Sequence, residues 1–133
     1  MKNIVGCFVE YNGKFVILLR ANNKPQGYTW ALPGGKIEAN ETCLDAIIRE
    51  VEEEIGYKAK KSEIEFIGVW PFGNIMYHTF RIQLKQPIDV KLNQEEHTAF
   101  RWVTPEECYN IHNLIPGFHR LLELVGYIKK PQQ

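Results

Sequence analysis

A single α/β (α+β) domain is the fold class that this sequence predicts, on three observations. Asn12-Gly13 stands between two apolar runs, residues 4–11 and 14–20, and this is the strongest short hairpin signal. Between residues 42 and 55, Leu44, Ile47, Ile48, Val51 and Ile55 return at three- and four-residue steps, the stripe of an amphipathic helix. From residue 76 to 85 the period shortens to two, with Met76, His78, Phe80, Ile82 and Leu84 on one face and Tyr77, Thr79, Arg81 and Gln83 on the other. Strand and helix patterns are mixed rather than regularly alternating, which fits this class and no finer one.

The elements follow in order. The first strand covers residues 4–11, the Asn-Gly turn reverses it, and the second strand covers 14–20. Residues 21–28, with Asn22, Asn23, Pro25 and Gly27, form a loop. The helix begins where Asn40 or Thr42 can cap its first turn. Asp45, three residues after Thr42, supplies the second half of a capping box, and Gly56 can take the left-handed turn that ends it. A strand at 64–70 precedes the alternating run. A short strand at 100–103, a short helix at 105–109 and a final helix at 116–128 close the chain, the last with Phe118, Leu121, Leu122 and Val125 inward.

At 133 residues the chain is one domain, residues 1–133, able to bury about two thirds of its unfolded surface. Sixteen Lys and Arg balance sixteen Asp and Glu, so no basic field points to a nucleic-acid polymer or an anionic membrane. Cys7, Cys43 and Cys108 lie far apart without a CxxC pair, which argues against a disulfide framework and against zinc and fits a reducing cytoplasm. The run from Ile4 to Val9 is too short, and too soon followed by Glu10, for a signal peptide or a membrane span.

At about 100° per residue, Glu50, Glu53 and Glu54 share one arc of the helix beside its apolar stripe. Glu-rich helix faces are usually solvated surface, and like-charged neighbours there cost only about 0.2–0.5 kcal/mol per pair. The Pro33-Gly34-Gly35 segment and Glu41 ahead of the helix change that balance. Hard oxygen ligands on a rigid element suit Mg²⁺ or Mn²⁺, which keep several waters and bridge to substrate phosphates. Glu52 faces away as solvated surface. Arg49 has Asp45 and Glu53 at four-residue spacing as ordinary ion-pair partners.

These residues together resemble the Nudix box, G-x5-E-x7-R-E-U-x-E-E-x-G-U. Gly35, Glu41, Arg49, Glu50, Glu53, Glu54 and Gly56 fill its seven fixed places and Val51 its first aliphatic one, while Tyr57 is aromatic where an aliphatic residue is usual. Seven fixed positions coincide by chance on the order of once in 10⁸ starting points. The resemblance implies an α/β/α sandwich around a mixed sheet, and a Mg²⁺-dependent (or Mn²⁺-dependent) hydrolase of a nucleoside diphosphate linked to another group. It implies Glu50, Glu53 and Glu54 as metal ligands, Glu53 also in catalysis, Arg49 as the group that orients a ligand carboxylate, and Glu41 in the outer shell.

The segment from Trp30 to Gly35 is similar to the lead-in of MutT-type members, where the carbonyl at the Gly34 position is often a ligand; a glycine needed only for a tight turn is the plainer reading. MutT-type enzymes also carry a loop glutamate shortly before a tryptophan. Glu96, six residues before Trp102, takes that place ahead of Glu95, as metal ligand or as base for the attacking water, with His97 a weaker candidate. Arg20 has the donor fork to reach a phosphate and is otherwise a sheet-edge charge. For the organic half of the substrate, Trp70, Phe72, Tyr77 and Phe118 are stacking candidates, and His119 lies where a base-recognition residue sits in the resemblance. His78 reads as a satisfied core histidine.

The substrate class that the MutT-like lead-in implies is a nucleoside triphosphate. The segment from Asn23 to Trp30 is similar to that of GDP-mannose hydrolases, but those alter the Arg-Glu core that stands intact here as Arg49-Glu50; Pro71 lies near a proline of ADP-ribose pyrophosphatases. A non-catalytic nucleotide sensor would have little reason to keep the carboxylates. The partner implied is a small-molecule nucleotide, not a nucleic-acid polymer or a membrane, with the chain a monomer or homodimer.

Overall fold

The computed structural model describes residues 1–129. Among them one mixed sheet contains β1 (Lys2–Tyr11), β2 (Lys14–Arg20), β3 (Trp30–Ala31), β4 (Gly34–Lys36), β5 (Ile64–Phe72), β6 (Ile75–Gln83) and β7 (His97–Val103). The strands run β3-β2-β1-β6-β5, with β7 beside β2 and β4 beside β1. β1 and β6 are parallel from the Lys2/Ile75 pair to the Glu10/Gln83 pair, and the other pairings between these strands are antiparallel. β1 meets β2 only near their hairpin, at Glu10/Phe15 and Tyr11/Lys14, whereas β4 lies along β1 from Ile4 to Gly6. The sheet therefore divides between β1 and β2, and the division opens a cavity.

Alternation along the strands sends side chains to two cores. Val5, Cys7 and Val9 of β1, with Val16 and Leu18 of β2, meet α1 (Cys43–Ile55). Phe8, Phe15 and Ile17 point the other way, to α2 (Phe118–Leu124) and to Trp30, Leu32, Cys108 and Ile111. The result is the expected α/β/α sandwich. Ile47, Val51 and Ile55 of α1 are wholly buried, each contributing about 1.5–3 kcal/mol relative to exposure.

Thr42 is the cap of α1: its Oγ1 accepts from the Asp45 amide at 3.0 Å, a contact typically worth about 1 kcal/mol. Gly56 ends the helix in the left-handed region, φ 77°, and donates to the Glu52 carbonyl. Asn12 and Gly13 turn the hairpin with φ of 55° and 79°.

Several boundaries differ from the pattern. The last helix starts at Phe118, not 116, because Gly117 takes φ 90°, and it ends at Leu124 before a turn in which Gly126 has φ 83°. The strand expected at 100–103 extends back to His97 because β2 pairs with it as far as Arg20. The helix expected at 105–109 is a 3₁₀ turn, Glu106–Asn110. β3 and β4 were not predicted. They are too short to show a period, and their pairing partners rather than their own residues create them.

Candidate active site

Gly34 and Gly35 lie in β4, in strand conformation rather than in a tight turn. A Cβ on Gly34 would stand 2.0 Å from the Val5 carbonyl oxygen, so β4 can approach β1 only with glycine there. This approach brings the sheet edge onto the carboxylate face of α1. The Gly34 amide donates to Glu54 Oε1 at 2.8 Å, and the Glu50 carboxylate packs against Gly35.

Arg49 is the hub of the acidic cluster. Its Nε and Nη2 donate to the two oxygens of Glu41 at 2.7 and 3.0 Å, the two-bond fork that suits a carboxylate. Nη1 donates to Glu50 at 2.8 Å and reaches Glu53 at 3.4 Å; Nη2 also donates to the Lys36 carbonyl at 3.1 Å, and Nε lies 3.2 Å from Glu38. Asp45, the other partner expected from spacing, faces Lys61 at 3.9 Å instead. The Arg49 fork and the Glu38 amide hold the Glu41 carboxyl at a pKa of about 2. Glu52 is exposed, as expected, with Lys58 4.0 Å away.

Glu50 and Glu54 are different. Glu54 is 9% exposed, and among the described residues no lysine or arginine lies within ion-pair distance of it. Burial, followed by the charge of Glu50, raises the Glu54 pKa well above the ordinary carboxylate range; burial raises Glu50 against the opposing pull of Arg49. Arg49 is the counter-charge of Glu50, whereas Glu54 faces no cation of its own among the described residues. A divalent cation fits this need, since a buried carboxylate pair with one oxygen fixed by a backbone amide offers hard, preoriented donors. Glu53 has its side chain 55% exposed and turned toward Arg49, and among the described residues no three His, Cys, Asp or Glu side chains converge on a ready-made metal position. Mg²⁺ needs no such cage, because it binds through one or two carboxylates, waters and substrate phosphates.

A cavity of about 330 Å³ adjoins this cluster at Gly34 and Gly35. Leu18, Leu32, Phe72, Ile115, Phe118 and Leu121 give it apolar walls, while Arg20, Gln26, Tyr77 and His97 supply its polar groups. Arg20 stands at the mouth, its Nε donating to the Pro25 carbonyl at 2.7 Å. Glu96 faces Arg20 at 3.7 Å and Lys24 at 3.4 Å, so the acidic loop meets the cationic mouth and not the Arg49 cluster. His97 is 6% exposed, and burial followed by Arg20 lowers its pKa, which keeps it neutral.

Of the aromatic candidates, Phe72, Tyr77 and Phe118 line the cavity. The structure does not bring Trp70 or His119 there. Trp70 packs on the second core beside Gly68, and His119 is turned back by its bond to the Cys108 carbonyl, 3.2 Å, with its ring stacked on Tyr109. His78 is satisfied, by Asn3 at 3.0 Å and by Cys43 at 3.5 Å, although it is only half-buried. Lys24 and the buried position of His97 escaped the sequence reading; the pairing of His97 with Arg20 across two strands carries no local signal.

Compared with known families, residues 2–125 match the NUDIX domain. The chain is 32% identical over 105 residues to a MutT-like protein of Streptomyces ambofaciens, covering 79% of this chain and 64% of that relative's length. It is 28% identical over 123 residues to a CTP pyrophosphohydrolase of Escherichia coli, covering 92% of this chain and 90% of that one. Its fold is similar to that of a bifunctional NMN adenylyltransferase/ADP ribose pyrophosphatase of Francisella tularensis, solved with AMP and a manganese ion. In that comparison the TM-score is 0.78 and the identity 19%, over 93% of this chain and 40% of that one. Among the described residues no helix is long and apolar enough to cross a membrane.

Proposed function

The chain belongs to the Nudix hydrolase family, and from that premise we propose that it is a Mg²⁺-dependent hydrolase of a nucleoside diphosphate linked to a further group, with a nucleoside triphosphate as the preferred substrate. The observation that carries this reading is the Glu50–Glu54 carboxylate pair, with Glu54 buried and Glu50 paired with Arg49, at the end of an apolar cavity whose mouth holds Arg20. The E. coli relative is named for CTP hydrolysis, and the Francisella neighbour was solved with AMP and manganese, which agrees with a nucleotide and a divalent ion.

Glu50 and Glu54 would hold the cation, with Glu53 swinging in from Arg49 and the Gly34 carbonyl beside them. When bound, the ion supplies neutralisation of the diphosphate and acidification of water for in-line attack on phosphorus. Arg49 keeps Glu50 aimed, and Glu41 keeps Arg49 fixed. Arg20 binds a phosphate oxygen, and Phe72 and Phe118 flank the organic group and exclude water. Glu96 would serve as the base for the attacking water once phosphate takes Arg20 and Lys24 from it, which requires its loop to turn from the cavity mouth toward Glu50 and Glu54.

The test is a panel of nucleoside triphosphates, nucleotide sugars, ADP-ribose and dinucleoside polyphosphates, with products resolved by chromatography. Hydrolysis with Mg²⁺ and none with EDTA is expected, fastest on a triphosphate. Steady nucleotide binding without turnover would make the chain a sensor, and faster turnover of a nucleotide sugar or ADP-ribose would replace the substrate class.

A further inference from the structure

Among the described residues, three buried side-chain atoms lack a hydrogen-bond partner: Thr79 Oγ1, Arg81 Nε and His97 Nδ1. Of these three residues only His97 lines the cavity. The acidic loop ends at Glu96, and His97 opens β7 as the register partner of Arg20 in β2, so strand pairing sets its backbone beside that cation. Its side chain is almost wholly buried, where ring nitrogens are normally paired. Two other histidines obey that rule. His78 lies between Asn3 and Cys43, and His119 bonds the Cys108 carbonyl.

The orphaned atom fixes which way round His97 carries its proton. An enclosed N–H without an acceptor is the rarer and costlier defect, and a bare lone pair the milder one. Nδ1 therefore holds the lone pair and Nε2 the proton, since a neutral imidazole has one of each. A doubly protonated ring would bury an orphaned N–H and set a positive charge beside Arg20. Nε2 is not among the enclosed atoms and has no partner among the described residues, so its N–H is what His97 presents to the cavity.

Arg20 supplies the second donor. Its Nε is spent on the Pro25 carbonyl and its Nη1 faces Glu96, while its charge extends to Glu54 and favours the ionised carboxylate there. The cationic mouth and the carboxylate end thus address one ligand. An oxygen seated between Arg20 and His97 meets N–H donors from both and is asked for none in return. A base edge mixes donors with acceptors, whereas a phosphate offers acceptors alone.

We propose that His97 Nε2–H and the Arg20 guanidinium form a clamp on the phosphate chain of the substrate, with His97 as its neutral arm. The inference rests on the nucleotide reading above and adds a second phosphate-binding residue to Arg20. It also removes His97 as a candidate base, because the nitrogen it turns to the cavity already bears a proton.

The experiment compares wild type with His97→Gln, whose amide can place an N–H near the position of Nε2–H, and with His97→Leu, which has no donor. Dissociation constants for CTP, ATP and inorganic tripolyphosphate are read by calorimetry with Ca²⁺, KM and kcat with Mg²⁺, and Tm beside them. Nitrogen-15 NMR reads the tautomer in wild type, the His97 signals being those that vanish in His97→Gln. His97→Leu is expected to weaken all three ligands by the same factor, about tenfold, leaving the CTP to ATP ratio unchanged and kcat within about threefold. His97→Gln should retain affinity within about threefold, and Tm of His97→Leu should hold or rise because an orphaned nitrogen is removed. In wild type Nδ1 should be bare, and tripolyphosphate should shift the Nε2–H signal.

Unchanged tripolyphosphate affinity in folded His97→Leu overturns the proposal, as does a proton on Nδ1. Equal weakening in His97→Gln and His97→Leu would show that the shape of the ring matters and not its donor, and a fall in kcat with unchanged Kd would make His97 the base; either result also overturns it. Should His97→Leu not fold, the wild-type spectra decide. Tripolyphosphate that shifts Nε2–H in a protein that cleaves no nucleotide sinks the hydrolase and leaves the clamp. A protein that cleaves nucleotides while Nε2–H ignores tripolyphosphate sinks the clamp and leaves the hydrolase.

Discussion

Gly35 lies directly under the carboxylate of Glu50, so that a Cβ at position 35 would come within 2.7 Å of Oε1 and 2.8 Å of Cδ. The atom in the way is the end of a flexible side chain, and a methyl group there moves the carboxylate without breaking the strand. Gly35→Ala is therefore expected to keep Tm within a few degrees of wild type and to lower kcat about a hundredfold, the scale of a misplaced catalytic group. Steady-state kinetics beside a thermal melt check it, and a variant as active as wild type would mean that the position of Glu50 does not matter.

The buried carboxylate pair sets a pH dependence. Burial raises the folded pKa of both Glu54 and Glu50 above the ordinary 4.5, so above that value the folded chain holds more protons than the unfolded one. Their contribution is fully present below the unfolded pKa and is lost as pH rises through the raised folded values. With EDTA, Tm should fall as pH rises from about 5 toward neutrality. Saturating Mg²⁺ should remove most of this fall by supplying the counter-charge. A flat EDTA profile across that range would show that the two carboxylates are ordinary surface groups.

Glu41 works through Arg49, with two bonds at 2.7 and 3.0 Å. Glu41→Gln keeps the shape but weakens the grip, leaving Arg49 to swing among Glu38, Glu50 and Glu53. The expected loss is about 10- to 100-fold in kcat, the usual scale for an outer partner of a ligand. A loss as large as that of Glu54→Gln would place Glu41 on the metal itself.

Glu96→Gln is expected to slow the chemical step by about 10² to 10⁴, the scale of a lost general base, with Mn²⁺ affinity barely moved. Glu95→Gln should be mild. Because Glu96 also faces Arg20 and Lys24 at 3.7 and 3.4 Å, a second result is informative. A change in KM alone would make Glu96 a partner of those cations and not the base.

The parts of the fold legible in the sequence were those that carry a period or a special residue. The Asn12-Gly13 turn stands as read, the stripe from Leu44 to Ile55 stands except that Ile48 is only half-buried, and the alternation in β6 holds as far as Gln83, where the strand ends before Leu84. β3 and β4 were illegible because two or three residues hold no period and exist as strands only through β2 and β1. The site divides the same way. Residues on one helix, Arg49, Glu50 and Glu54, could be placed together from spacing, and Glu41 from the box. The cavity could not, since Arg20, Gly34, Tyr77, His97 and Phe118 come from five separate segments that meet only where β1 and β2 part. Trp70 and His119 were chosen by residue type and position, and neither shows which way a side chain turns.

The central claim is that Glu50 and Glu54 hold the cation, and Mn²⁺ binding followed by electron paramagnetic resonance tests it most directly. In Glu54→Gln the Gly34 amide keeps an oxygen to donate to, so the fold should stay intact and Tm in EDTA should rise slightly as the buried like charge is removed. The account predicts that wild type binds Mn²⁺ in the absence of substrate, that Glu54→Gln weakens this binding at least about a hundredfold, and that turnover falls by several powers of ten. Equal Mn²⁺ affinity in the two folded proteins, with turnover preserved at saturating metal, would contradict it.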